Sequence, residues 1–317
     1  MPEACSSVRR KSLSFSATVI RLFRGAFSLD REVRVQLTEE VTATIYNRPG
    51  EWMPDAALDR LREEVRGVAK AAIPGDLTYG VFLPDRRPYE TRLIVVGRHE
   101  PSGDVVGFNA MPRLDLEVQG RRYEVMHLGL LVIHPRYQRR GFQGLLYGLG
   151  AFSLYHRLRD RPVWVSNVTE VPAVFGAVAD RFLDVYPSYA DERPPPPLHR
   201  EIARQIMARH RHEFGVGPEA GFDEERFVIQ GSYTGGSDAL KKNFEDAPRH
   251  RKDAANEFCR RHLDYSRGDD FLQLGQFDTK VMTNWVQSRL PAPLRPQAAR
   301  QMKLWTYPGA RGPLKGA

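Results

Sequence analysis

The sequence predicts an α/β protein with an α+β mixed sheet: an antiparallel meander followed by a parallel β-α-β crossover, with a C-terminal extension. Three observations carry this. "TRLIVVGRHE", "VVGFNAMPRLDLEV" and "YEVMHLGLLVIHP" are apolar, β-branched runs separated only by the turn sequences "PSGD" and "QGRR", so they pair as consecutive antiparallel strands. In "PDAALDRLREEVRGVAKAAI", Leu58, Leu61, Val65, Val68 and Ala72 recur at three- and four-residue steps with Pro54 near the start, the signature of an amphipathic helix. A helical segment from Phe142 to Leu158 then stands between the last meander strand and "VWVSNV", and such a passage joins parallel strands by a right-handed crossover.

Each element follows in order. The first thirty residues include "SSVRRKSLSFSATVIRLFRGAFS", with five basic residues and no acidic one, and with Phe15, Val19, Leu22 and Phe23 at helical spacing. A transit peptide, a helix lying on an anionic membrane and a solvated arm all fit that pattern. "REVRVQLTEEVTATIYN" reads as a strand giving way to a short helix. The predicted first helix, the meander, the crossover helix and "VWVSNV" follow, and then the helix "PAVFGAVADRF". In "DERPPPPLHR" four successive prolines stop any helix or central strand. Beyond them "LHREIARQIMARHRHEF", "RHRKDAANEFCRRHLDY" and "TKVMTNWVQSRL" read as helices, and "ERFVIQGSY" and "DFLQLGQFD" as strands. Two late strands are too few for their own sheet and are expected to complete the first one. The tail from Pro291 is proline-rich. The division is therefore 1–30, a core over 31–190 and a C-terminal elaboration over 191–317.

Hydrophobic residues make up 41% of the 317 and charged residues 27%, which supports a packed core. No apolar run approaches the roughly 20 residues of a membrane span. The net charge of +8 suits an acidic partner without choosing one. The two cysteines, Cys5 and Cys259, make neither a disulfide framework nor a structural zinc site. A cytoplasmic setting and no metal are expected.

"HLGLLVIHPRYQRRGFQGLLYGLG", residues 127 to 150, places a strand, a tight turn and a helix in succession. The first amides of such a helix lack partners, and with the helix dipole they form an anion site. Gly141 permits close backbone approach, and Arg139 and Arg140 add charge. A plain turn with solvated arginines reads equally well from this stretch alone.

Order and motif together resemble the GNAT acyltransferase superfamily over Glu32 to Tyr186. Gln138, Arg139, Arg140, Gly141 and Phe142 match its Gln/Arg-x-x-Gly-x-Gly/Ala signature, and Pro135 and Tyr137 stand at the usual offsets. Gln143 departs, standing where a small residue is usual, and Gly144 follows one step late. The resemblance implies a GNAT-like fold with a donor thioester, either acyl-CoA or an acyl group on phosphopantetheine. Its pyrophosphate would lie on the loop from Gln138 to Gly144, and its pantetheine along Leu131, Val132 and Ile133. It implies N-acyl transfer to an amine of a small molecule or peptide.

The resemblance also suggests roles. His127 stands eleven residues before Gln138, where one branch of the family carries its general base, and a free imidazole titrates near 6.5. A core histidine held by a neighbouring strand is the competing reading. Glu124 is the alternative base, acting through water. Asn167 would hydrogen-bond the donor. The helix that often supplies a Tyr as acid has Phe175 instead, which leaves Tyr147 on the preceding helix. The basic residues of the late helix, Arg200, Arg204 and Arg209 among them, suit an acidic acyl carrier protein. A non-catalytic GNAT-fold binding protein and a nucleic-acid-associated protein are the other function classes. The second has charge alone in its favour, without a recognised RNA-binding module.

Overall fold

The computed structural model describes residues 26–158 and 162–289. The basic N-terminal stretch up to residue 25 and the tail from Pro291 lie outside the described residues. In chain order the elements begin with β1 (Glu32–Gln36), β2 (Val41–Asn47), α1 (Asp55–Ala72), the single-turn α2 (Arg87–Glu90), β3 (Arg92–His99), β4 (Val105–Val118), β5 (Arg121–His127) and β6 (Leu130–Ile133). There follow α3 (Phe142–Arg157), β7 (Val163–Thr169), α4 (Pro172–Arg181), β8 (Leu183–Tyr186) and α5 (Pro197–Arg209). The last are β9 (Gly221–Asp223), β10 (Val228–Gln230), α6 (Asp253–His262), β11 (Asp270–Phe277) and α7 (Thr279–Arg289).

The strands form one mixed sheet in the order β1-β2-β3-β4-β5-β7-β11-β10-β9, with β6 added to β4 and β8 to β11. The meander β3-β4-β5 is antiparallel, whereas β5 and β7 run parallel. The late strand β11 pairs with β7 from Phe271 opposite Thr169 to Phe277 opposite Val163, so the C-terminal extension is hydrogen-bonded into the sheet.

Four departures from the sequence reading have local causes. "REVRVQLTEEVTATIYN" is a hairpin, not a strand running into a helix. Thr38 turns the chain by accepting the amides of Glu40 and Val41 on its hydroxyl. The run "YEVMHLGLLVIHP" is two strands, broken at Gly129. The late strand over "ERFVIQGSY" shrinks to three residues. The short strands β8 and β9 carry too few residues to show an alternation.

Alternation along the strands sorts the core. One face packs α1 on Ile94, Val96 and Phe108, and α5 on Leu114, Val125 and Leu272. The other face packs α3 and α7 on Val95, Met111, Met126 and Val165, and α4 and α6 around Phe175, Phe258 and Phe271. The predicted apolar positions of α1 explain its docking, since Leu58, Leu61, Val65 and Val68 are buried. The last of the four prolines, Pro197, opens α5, where a missing amide costs nothing. Among the described residues no helix is long and apolar enough to cross a membrane, and no group of three His, Cys, Asp or Glu could hold a metal.

Candidate functional site

Two neighbouring strands part company at one residue. β5 and β7 pair in parallel through His127 opposite Ser166, and the Leu128 amide still donates to the Ser166 carbonyl at 2.8 Å. Gly129 then turns with φ of 51°, and the chain continues as β6 alongside β4. β7 meanwhile continues with β11, so a V opens between β6 and β7. Gly129 is required there. A Cβ on it would lie 1.9 Å from the Ala110 carbonyl oxygen, closer than any side chain tolerates, and its positive φ disfavours other residues.

Three residues of β6 were expected to hold a donor, and they divide by strand geometry. The His134 amide donates to the Val106 carbonyl at 2.9 Å. Val132, two residues earlier, therefore also directs its backbone groups at β4, while Leu131 and Ile133 present theirs to the V. Val132 is thus removed from the backbone donor set. The Ile133 carbonyl accepts the Gln138 side-chain amide at 3.2 Å, which leaves the Leu131 pair and the Ile133 amide.

The loop from Gln138 to Gly144 leads from β6 into α3. Arg139 and Gly141 both have positive φ, 61° and 83°, and Gly141 caps α3 without any side-chain hydrogen bond. Gln138, Arg139, Arg140 and Gln143 are exposed, Gly144 is half-buried, and Phe142 anchors the turn in the core. The first turn of α3 holds no acidic residue. Uncapped amides, a helix dipole and two arginines make this an electropositive end suited to phosphate.

The four candidate catalytic residues do not converge. His127 lies on the α5 face, 4% exposed, with its Nδ1 3.0 Å from the Ser166 hydroxyl and its ring stacked on Phe214 at 4.9 Å. Burial, helped by the Arg92 charge, pulls its pKa from 6.5 to about 3. The imidazole is neutral at physiological pH, and the expected titration near 6.5 is corrected. Glu124 points to the opposite face, in an ion pair with Arg113 at 3.1 Å, so it cannot share a water with His127. Asn167 is on that opposite face too, and its amide donates to Gln273 at 3.2 Å. Tyr147 packs into the α3 core, where burial pushes its hydroxyl pKa up; it is a packing residue, not an acid.

A group that sequence reasoning missed lies on the α5 face with His127. Arg92, 2% exposed, ion-pairs with Glu213 and donates to the Pro88 and Glu213 carbonyls at 2.8 and 2.9 Å. Tyr79 lies within electrostatic reach of both Arg92 and Asp270. Past the end of β7 comes Glu170, and at the start of β11 Asp270, with Tyr233 donating to Asp270 Oδ1 at 3.2 Å. Burial raises Glu170 from 4.5 to about 8 and Asp270 from 3.8 to about 7. No motif links positions 79, 92, 170, 213, 233 and 270; the topology alone assembles them.

The late basic helix is largely neutralised. Arg200 pairs with Glu225 at 2.8 Å and Arg204 with Glu224 at 2.6 Å, and His199 is buried against Trp164. Arg209 is exposed.

No family profile and no curated protein matches this chain. One similar solved structure is a GCN5-related glucosamine N-acetyltransferase region of a fungal multi-domain GH3 β-N-acetylglucosaminidase, at 13% identity and a TM-score of 0.28. The match covers 75% of this chain and 38% of that one. A likeness at that level carries no functional weight, and function has to be read from the site.

Proposed function

We propose that this chain is a GNAT-type N-acyltransferase, moving an acyl group from a thioester on coenzyme A or on the phosphopantetheine of an acyl carrier protein to an amine. The carrying observation is the parting of β6 from β7 at Gly129, with the uncapped, basic start of α3 following β6. Free backbone groups of Leu131 and Ile133 suit the amides of a pantetheine arm, and the α3 amides suit its phosphates.

In the reaction the amine nitrogen forms a bond to the acyl carbon, the carbon–sulfur bond breaks and the thiolate leaves. One proton must pass from the attacking ammonium to solvent or a base, and one must reach the sulfur. His127 is unsuited to the first task. Taking a proton from an ammonium near pKa 10 onto a group near 3 is uphill by roughly 9–10 kcal/mol. Its position beside Ser166 instead suits a neutral polar wall near the thioester. Accordingly, native protein and His127→Gln should give pH–rate profiles of the same shape. Loss of an ascending limb near pH 6.5 in the variant would restore the imidazole as base.

Thiol release from acetyl-CoA and from longer acyl donors, with a panel of amines, tests the reading. Calorimetry should show coenzyme A binding. Donor binding without release under any acceptor would leave a donor-binding protein and end the acyltransferase reading.

A further inference from the structure

We propose that Glu170 and Asp270 form a subsite for a second positive charge on the acceptor, so that the preferred acceptor is a dicationic amine. The proposal rests on the acyltransferase reading for the word acceptor, but the subsite stands on its own geometry.

Both carboxyls belong to the same sheet face as His127 and Ser166, by the alternation along β7 and β11. Glu170 is 1% exposed and Asp270 3%. Glu170 Oε1 accepts the Lys242 amide, whereas Oε2 is buried and has no hydrogen-bond partner. Tyr233 stands between the two carboxyls, but a phenol has one proton, and it goes to Asp270. Among the described residues neither carboxyl makes an ion pair, although the adjacent Asp269 is held by Arg267 at 2.7 Å and Glu213 by Arg92.

The donors on the two acids, the Lys242 amide, Tyr233 and Ser232, are neutral, and the Lys242 charge acts only from beyond ion-pair distance. Burying carboxylates unpaired is costly, and the raised pKa values of both groups record that cost. A ligand ammonium placed there gives Oε2 a donor and offsets one of the two formal charges, the other being neutralised by the proton that the pair retains. Glu170 lies four residues along the chain from Ser166, or about 13 Å in an extended strand. A cation bound there is therefore remote from the point where β6 and β7 part, and is a second group rather than the reacting nitrogen.

The test uses the full chain without donor. Calorimetry should show diaminooctane binding at least about tenfold more tightly than octylamine. Glu170→Gln and Asp270→Asn should each weaken diaminooctane about 10- to 100-fold, as expected for loss of a buried charge-assisted hydrogen bond, and leave octylamine unchanged. Melting temperatures of both variants should equal or exceed the native value, because an unpaired buried acid is being neutralised. The subsite is overturned if the native chain does not discriminate diamine from monoamine, or if the variants bind diaminooctane normally. The latter outcome assigns the pair to a shared proton. Should Glu170→Gln fail to fold, Asp270→Asn and Tyr233→Phe carry the same comparison. Selective loss of diamine binding without any thiol release would keep the subsite and sink the acyltransferase reading; normal turnover with no diamine preference would do the reverse.

Discussion

The two sides of the V are built from opposite materials. The proposed donor side, from Gln138 to Gly144, is largely exposed, cationic and contiguous in sequence. The side occupied by Glu170 and Asp270 is buried, acidic and drawn from segments a hundred residues apart. The first leaves helix amides open and surrounds them with Arg139 and Arg140. The second leaves a carboxylate oxygen without a hydrogen-bond partner, and among the described residues neither carboxyl makes an ion pair. If the proposed anionic donor and cationic acceptor bind as argued, such a separation serves both, since each ligand is repelled from the other's place.

The hardest blow to the contrast is to abolish the V itself. Gly129→Ala places a Cβ against the Ala110 carbonyl and forces a positive φ. It should cost about 3–5 kcal/mol in urea unfolding, at the upper end of single substitutions, or prevent folding. A native-like midpoint would show that β6 can swing back, and that the parting is not fixed by this residue.

Next comes the donor side alone. Gly141→Asp meets open space, with no atom within 4 Å of the added Cβ, so its costs are about 1–2 kcal/mol of left-handed strain and a negative charge among the amides proposed to hold phosphate. Coenzyme A affinity should fall at least about tenfold in calorimetry while the chain stays folded. Unchanged affinity would move the pyrophosphate elsewhere.

The acidic side has its own signature in pH. Glu170 and Asp270 titrate higher folded than unfolded, so the folded chain holds extra protons between about pH 4 and pH 8. Their contribution to stability is fully present below that window and is lost as pH rises through 7 and 8. His127 has the opposite sign: its contribution is present above 6.5 and is lost as pH falls towards 3. Glu170→Gln should flatten the decline between pH 6 and pH 8, gaining on the order of 2 kcal/mol at pH 8. A parallel curve for the variant would mean that Glu170 is paired with a cation already.

The smallest effect belongs to α5. Arg204 is half-exposed and already paired with Glu224, so Arg204→Glu with Arg209→Glu should leave the melting temperature nearly unchanged. A rise in KM for a carrier-delivered donor, with none for the coenzyme A form, would assign this surface to an acidic carrier.

What the sequence disclosed follows the same division. α1, the meander and α3 were legible because their signals are local: period in Leu58–Val68, turns at "PSGD" and "QGRR", and a glycine-marked helix start. The course of residues 138–144 from strand into helix was legible for that reason too, whereas its role as a donor site is a proposal. His127 was singled out by its offset from Gln138, and of its two readings the buried histidine held by a neighbouring strand fits the structure better. Position along a strand says nothing of the Phe214 ring that covers the imidazole or of the Arg92 charge nearby. The pair Glu170 and Asp270 carried no signal at all. One follows β7 and the other opens β11, and only the antiparallel register of those strands makes them neighbours.

That register also sets a schedule for synthesis. β7 has its last pairing partner, β11, about a hundred residues further along the chain. At roughly 5–20 residues per second, β7 waits some seconds on the ribosome as an open edge, exposing unpaired amides and carbonyls to any other nascent strand. The long-range closure also raises contact order, which slows folding. A chain cut after α5 would keep that edge for good and should aggregate, so the late residues act as a delayed chaperone for the early ones.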